Sequence, residues 1–247
     1  VSFIEVTDPL DMNVIAIGVS NQTEAVGFAY FPNPDFEVGM DVFISDDYVA
    51  PRFVGSETTN FDYEIMLHEI YHALGLKHPF EADGDNTNVL GSREDTSPYT
   101  VMSYNLDPST FAGDARVLDL MALTELYGVN PSYRLEDDTY EFSNSSGVFI
   151  VDGGGRDTVA YQGSQNVFVD LRSGGHSFIG SKSAYITSAN QLTISNGSLI
   201  ENATTGSGND TIIGNALNNT LSSGGGDDRI FAGEGRDTVI SGKGSDV

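Results

Sequence analysis

Apolar residues in the first half of the chain come in short runs broken by polar, glycine-containing turns. This pattern predicts short strands at Val14-Ile15-Ala16-Ile17, Phe28-Ala29-Tyr30-Phe31 and Asp41-Val42-Phe43-Ile44. A helix follows, capped by Asn60 or Asp62 and running to about Leu74. The polar stretch from Glu81 to Pro98, with Gly84 and Gly91, predicts a loop, and its Asp83-Gly84-Asp85 reads as exposed loop rather than as a metal site. A second helix is expected from about Ala115 to Tyr127, and Pro131 marks the end of this first part. From Tyr140 the pattern is β-rich, with Val167-Phe168-Val169 and Leu192-Thr193-Ile194 as strands.

From Thr205 onward a nine-residue period takes over. Asp210, Asn219, Asp228, Asp237 and Asp246 recur at that spacing. Gly206, Gly224, Gly233 and Gly242 precede them by four residues, and Gly208, Gly226, Gly235 and Gly244 by two. Ile212, Leu221, Ile230 and Val239 follow them by two. A flexible Gly/Asp linker would share the composition but not the period or the recurring apolar residue. The order is that of a parallel β-roll, whose apolar residues fill a thin core and whose glycine turns and Asp carboxylates present hard oxygen atoms suited to Ca²⁺. A coil takes two nonapeptides, so stacked loops lie eighteen residues apart. Gly206, Gly208 and Asp210 therefore pair with Asp228, and Gly224, Gly226 and Asp228 with Asp246. Asn215, Leu217 and Asn219 replace Gly, Gly and Asp, so a site shared with Asp237 is expected to be weaker or absent.

The candidate chemistry of the first part lies in His68-Glu69-Ile70-Tyr71-His72-Ala73-Leu74-Gly75-Leu76-Lys77-His78, which reads H-E-x-x-H-x-x-G-x-x-H. Two imidazoles four residues apart share a helix face. Gly75 can take the positive φ that ends the helix and returns His78 to the same point. Three neutral imidazoles suit Zn²⁺ with a fourth position left for water, and Glu69 stands beside that water as a general base. Chance histidines on an apolar face would not explain the glycine and third histidine at these offsets, and three of the chain's four histidines fall here. The fourth, His176, lies between Gly175 and Ser177 and reads as a solvated loop residue. Thr100-Val101-Met102-Ser103-Tyr104 offers a phenol that could coordinate the metal or hydrogen-bond an oxyanion. Read alone, Met102 is a core residue and Tyr104 one of eleven tyrosines.

The three-histidine pattern resembles the metzincin zinc peptidases. By that resemblance Met102 is the methionine turn beneath the metal, an apolar floor rather than a ligand. Pro79 after the third histidine, together with Met102-Ser103-Tyr104, resembles the serralysins, bacterial secreted metalloproteases. The resemblance extends over the segment from Ala115 to Gly128 and over the C-terminal repeats. It implies an α+β metzincin-like catalytic domain over residues 1–133, followed by an all-β parallel β-roll domain over 134–247. It also implies Zn²⁺ and Ca²⁺ as cofactors, protein or peptide substrates, and a proteinaceous inhibitor as a further class of partner. Similar segments in serralysins build a calcium site near the domain junction, here from Asp152, Gly154 and Asp157 with Arg134, Glu136 and Asp138. The residues alone leave that segment open between an ion site and a solvated acidic loop. The family leaves the cell through a type I secretion channel using a C-terminal signal. The chain begins without Met in strand-like sequence and stops within a repeat, so both domains are expected to continue beyond it.

Charge and composition narrow the partners. A formal net charge of −25 argues against nucleic acid and implies self-repulsion that bound cations would offset. There is no cysteine, hence no disulfide framework, and no window approaches the ~20 apolar residues of a membrane span. No N-terminal signal peptide is visible. The expected function is a secreted zinc endopeptidase whose extended substrate lies along Gly27 to Phe31 by β-addition. The alternatives are an inactive protease-like module that binds calcium as a surface or interaction element, and a matrixin-like or astacin-like protease. Glu69 counts against the first and the β-roll repeats against the second.

Overall fold

The computed structural model describes residues 14–33, 40–48, 59–82, 84, 86–111 and 113–247. It forms two compact units, one ending at Leu123 and the other beginning at Thr124. The division falls ten residues before the expected one, inside the second helix, whose last turn is tied to the β-rich unit: Glu125 accepts from Asn196 Nδ2 at 2.8 Å. Gly153 donates its N–H to Tyr133 O at 2.8 Å and leaves no room for a Cβ against Asn130 O. Asp83 and Asp85 lie outside the described residues.

The first unit carries a three-stranded sheet of β1 (Ile17–Ser20), β2 (Gly27–Ala29) and β3 (Val42–Ser45) in the order β1-β3-β2. β1 starts where the expected first strand ends, β2 begins one residue and ends two residues before its expected bounds, and β3 is displaced by a single residue. β1 runs parallel to β3 and β2 antiparallel to it, so β2 is an edge strand among the described residues. Helix α1 (Asn60–Ala73) packs through Ala73 and Ile70 on Val42 and Ile44. Its cap is Thr59, not Asn60 or Asp62: Thr59 Oγ1 accepts from the Asp62 N–H, and Asp62 Oδ2 accepts from the Thr59 N–H at 2.6 Å. This reciprocal pair satisfies two donors that the helix leaves free at its start. At the other end Gly75, at φ 92°, closes the helix: the Leu76 N–H reaches Tyr71 O and the Gly75 N–H reaches His72 O, both at 2.9 Å. A second cluster, of Tyr71, Leu74, Leu76, Val101 and Met102, lies on the other side of α1. Helix α2 spans Val117–Tyr127.

The second unit is a roll of short strands: β4 (Thr139–Glu141), β5 (Val148–Ile150), β6 (Thr158–Ala160), β7 (Val167–Asp170), β8 (His176–Ile179), β9 (Gln191–Ile194), β10 (Asn202–Thr204), β11 (Thr211–Ile213), β12 (Thr220–Ser222), β13 (Arg229–Phe231) and β14 (Thr238–Ile240). They form two sheets, ordered β14-β12-β10-β6-β4 and β13-β11-β7-β8-β9-β5. Ala203 pairs with Leu221 and Leu221 with Val239, and Ile212 pairs with Ile230, so each coil consumes the eighteen residues that the repeats imply. Val159, Val169, Ala203, Ile212 and Leu221 are fully buried between the sheets. The roll is not parallel throughout: β8 runs antiparallel to both β7 and β9. His176 sits on that strand, not in a solvated loop; its ring nitrogens meet Thr193 Oγ1 at 2.7 Å and Gln191 Oε1 at 3.1 Å.

Thr59→Ala should destabilise the first unit by about 1 kcal/mol, the usual cost of losing a side-chain cap. Urea unfolding followed by far-ultraviolet circular dichroism would read this as a lower midpoint for the helical signal. An unchanged midpoint would show that the cap contributes nothing to stability.

Candidate metal centres

Helix α1 presents His68 and His72 one turn apart, and the Gly75 turn brings His78 back to them. His78 Nε2 lies 3.2 Å from His68 Nε2 and 3.0 Å from His72 Nε2. Each Nδ1 faces an acceptor: Val101 O at 2.7 Å for His68, Leu76 O at 2.7 Å for His72, and Glu81 Oε2 at 3.0 Å for His78. A ring nitrogen facing a carbonyl or carboxylate carries the proton, which leaves the opposite nitrogen as a lone pair. Burial depresses His68 to about 4 and lowers His72, so both rings are neutral near pH 7. Three imidazole lone pairs converging on one point suit a tetrahedral Zn²⁺ with one position open.

Glu69 is buried beside this point, and burial raises its carboxyl to about 7. Gly27 on β2 packs directly against it: a Cβ there would lie 2.8 Å from Glu69 Cγ and 2.9 Å from Oε1. Tyr104 is 63% exposed, with its ring 4.6 Å from that of His78 and 5.7 Å from that of His68. A cleft of about 350 Å³ joins the three histidines, Glu69 and Tyr104 to β2 and Phe31. Met102 is 2% exposed and belongs to the apolar cluster containing Tyr71 and Leu76.

Two carboxylates that the sequence reading missed hold this arrangement. Asp119 of α2 is buried and accepts from Thr100 Oγ1 at 2.6 Å and from the Val101 and Arg116 N–H groups at 3.0 Å. It thereby fixes the turn whose Val101 carbonyl orients His68. Glu81 orients His78 in the same way. Neither belongs to the histidine motif. The one signal for Glu81 is its spacing three residues after His78, and Asp119 has no local signal.

In the second unit the repeat carboxylates stack as expected. Asp210 Oδ1 accepts from the Val167 N–H at 2.8 Å, Asp228 Oδ1 from Asp210 at 2.8 Å, and Asp246 Oδ1 from Asp228 at 3.2 Å. The second oxygens of Asp210 and Asp228 are buried with no hydrogen-bond partner. A buried, unpaired carboxylate oxygen is costly unless a cation meets it. The loops are also too close for side chains: a Cβ on Gly224 would fall 2.0 Å from Gly206 O. Carbonyls and orphaned carboxylates together fit Ca²⁺. Asp237 takes the same stacking position beneath Asn219, accepting from its N–H at 2.9 Å.

Asp138, Asp152 and Asp157 also converge, with one oxygen from each within 4.8 Å of the others. Asp157 Oδ1 accepts from the Asp138 N–H, while its Oδ2 is buried and unpartnered. Burial raises Asp157 to about 6. Asp152 accepts from the Gly154 N–H at 2.9 Å and from the Tyr140 hydroxyl. The Glu136 carbonyl crowds Gly155. The Arg134 side chain turns to Tyr140 and Asp138, leaving only its carbonyl as a candidate ligand. Glu201 was not foreseen here; its Oε2 accepts from the Asp157 N–H at 2.8 Å. It stands nine residues before Asp210, in repeat register, but Leu199 at a glycine position masks it.

Comparison with known proteins finds calcium-binding repeats and metalloprotease relatives. The RTX calcium-binding nonapeptide repeat profile matches residues 197–216, 204–239 and 213–247. A metallopeptidase AprA of Pseudomonas marginalis is 31% identical over 227 residues, covering 79% of this chain and 46% of the relative. A serralysin of Proteus mirabilis is 35% identical over 221 residues, covering 78% and 44%. A metalloprotease AprA of Pseudomonas entomophila (strain L48) is 33% identical over 252 residues, covering 89% and 50%. The chain spans about half the length of the curated relatives it matches.

Asp228→Ala should raise the Ca²⁺ concentration at which the roll folds, since Asp228 carries one orphaned oxygen and also caps Asp210. A calcium titration followed by circular dichroism would show a shifted midpoint, and an unshifted one would remove Asp228 from the ligands.

Proposed function

We propose that this chain, a homologue of the serralysin-type metalloproteases by its sequence and its RTX repeats, carries the metzincin-like catalytic part of a secreted zinc endopeptidase. The observation that carries this reading is the convergence of three histidine Nε2 atoms beside a buried carboxylate at the mouth of a cleft. His68, His72 and His78 would hold the metal. Zn²⁺, when bound, supplies a Lewis acid for the scissile carbonyl and lowers the pKa of water enough to make it a nucleophile near neutral pH.

The protein's own groups do the rest. Glu69 accepts the proton of the attacking water and returns it to the leaving amine nitrogen. Its packing against Gly27 keeps the carboxylate aimed along the cleft. Tyr104, exposed at the mouth, donates a hydrogen bond to the developing oxyanion. β2 is an edge strand lining the cleft through Gly27, Phe28 and Ala29, so an extended peptide can add to it by main-chain hydrogen bonds. This favours protein or peptide substrates, with a proteinaceous inhibitor able to use the same edge.

Calcium would be held by the loops of Gly206, Gly208 and Asp210, of Gly224, Gly226 and Asp228, and of Asp246. The Asp138, Asp152 and Asp157 cluster, with the Arg134 and Glu136 carbonyls and Gly154, would hold another ion. A roll that folds only with Ca²⁺ stays open in a calcium-poor cytosol and closes outside, which suits export through a type I channel. Among the described residues no helix is long and apolar enough to cross a membrane.

Casein digestion with and without a zinc chelator tests the reading. Glu69→Gln should keep about one zinc per chain and lose nearly all turnover, while His72→Ala should lose the zinc. Tyr104→Phe should lower kcat more than it changes substrate binding. Near-normal turnover by Glu69→Gln would sink the mechanism. Gly27→Ala should also cut kcat, since the added methyl must displace the Glu69 carboxylate. Unchanged kinetics in that variant would show that Glu69 does not depend on β2 for its aim.

A further inference from the structure

The repeat loops stack in two rows, one on each side of the roll, and the rows are not chemically alike. One contains the loops ending at Asp210, Asp228 and Asp246, with its orphaned carboxylate oxygens. The other contains the loops ending at Asp157, Glu201, Asn219 and Asp237. In the interval between the Glu201 loop and the Asn219 loop, two side-chain amides fill the space. Asn215 Nδ2 donates to Leu171 O at 3.0 Å and Ile200 O at 2.8 Å. Asn219 Nδ2 donates to Glu201 O at 2.8 Å and Asn215 Oδ1 at 3.0 Å. Asn215 Oδ1 also accepts from the Leu217 N–H, and Asn219 Oδ1 accepts from the Asn215 N–H. All four amide protons are thus used.

The amide orientation follows from the neighbours. Turning Asn215 over would set its oxygen against two carbonyl oxygens, and turning Asn219 over would do the same against Glu201 O and Asn215 Oδ1. Leu171 O, Ile200 O and Glu201 O in this interval are therefore already bound to amide N–H donors, and a cation placed among them would face four amide protons. Ca²⁺ needs six to eight oxygen ligands. Of the Glu201 carboxylate, Oε2 is bound to the Asp157 N–H on the preceding coil.

We infer that this interval is a cation-free rung, in which the Asn215 and Asn219 amides stand where the opposite row takes Ca²⁺. The chain therefore binds fewer ions than its repeat count implies. The inference rests on the repeats being calcium sites, and the test separates the two. Calcium bound per full chain would be measured by equilibrium dialysis with atomic emission, beside thermal unfolding in saturating Ca²⁺. Asn219→Ala should leave the bound calcium unchanged and lower Tm, because it removes hydrogen bonds rather than a ligand. The pair Asn215→Gly with Asn219→Asp should bind at least one more Ca²⁺ than the parent. Loss of an ion in Asn219→Ala, or no gain in a folded double variant, would overturn the inference. If the double variant failed to fold, the count in Asn219→Ala would still decide. A parent chain binding no calcium at all would instead overturn the calcium reading beneath it.

Discussion

Lone pairs on neighbouring nitrogens repel, and the first unit holds two of them, on His68 and His72, within 3.2 Å of a third on His78. Nothing in the histidines themselves favours this. It is imposed by acceptors placed behind each ring: the Val101 carbonyl, the Leu76 carbonyl and the Glu81 carboxylate. Those acceptors in turn depend on the helix ending at Gly75 and on Asp119 gripping the turn at Thr100 and Val101. The fold thus keeps a repulsive arrangement whose natural relief is a cation. Burial assists by keeping His68 and His72 neutral, since a protonated ring would offer no lone pair.

The second unit follows the same logic with oxygen in place of nitrogen. Short strands of three or four residues bury a thin line of Val, Ile, Leu and Ala, too little apolar surface for so acidic a chain to rely on alone. Its stacked loops place carbonyls and carboxylates against one another, and Asp157, Asp210 and Asp228 each keep a buried oxygen without a donor. An amide such as Asn219 answers this demand with protons, an acid such as Asp228 with a site for a metal. Two residue types of nearly equal size therefore decide between a permanent contact and a conditional one.

Much of this was legible in the sequence, for a physical reason in each case. The convergence of the three histidines could be read because they lie within eleven residues, on one helix and the turn that ends it. The coil length could be read because a roll repeats its backbone, so one period reports every stacked pair. What escaped depends on tertiary placement. Asp119 meets Val101 across eighteen residues, and no local pattern links them. His176 reads as loop because Gly174 and Gly175 precede it, whereas pairing to β9 draws it into an antiparallel strand. Thr59 was passed over for Asn60 and Asp62, although Asp62 as the third residue after it is the other half of a reciprocal cap. Glu201 keeps the nine-residue spacing and Gly197 four residues before it, but Leu199 stands where the second glycine of a repeat falls.

The two rows also set the grammar of insertion and deletion in the roll. Removing eighteen residues takes out one whole coil and leaves every remaining side chain on its own face. Removing nine keeps the alternation of strand and turn intact, yet moves all later loops to the opposite flank, so every later loop meets a new stacking partner. Such a half-coil deletion preserves shape while scrambling ionic chemistry. A change by a pair of units therefore keeps each flank's chemistry, and a change by a single unit requires the substitutions on both flanks to be rewritten together.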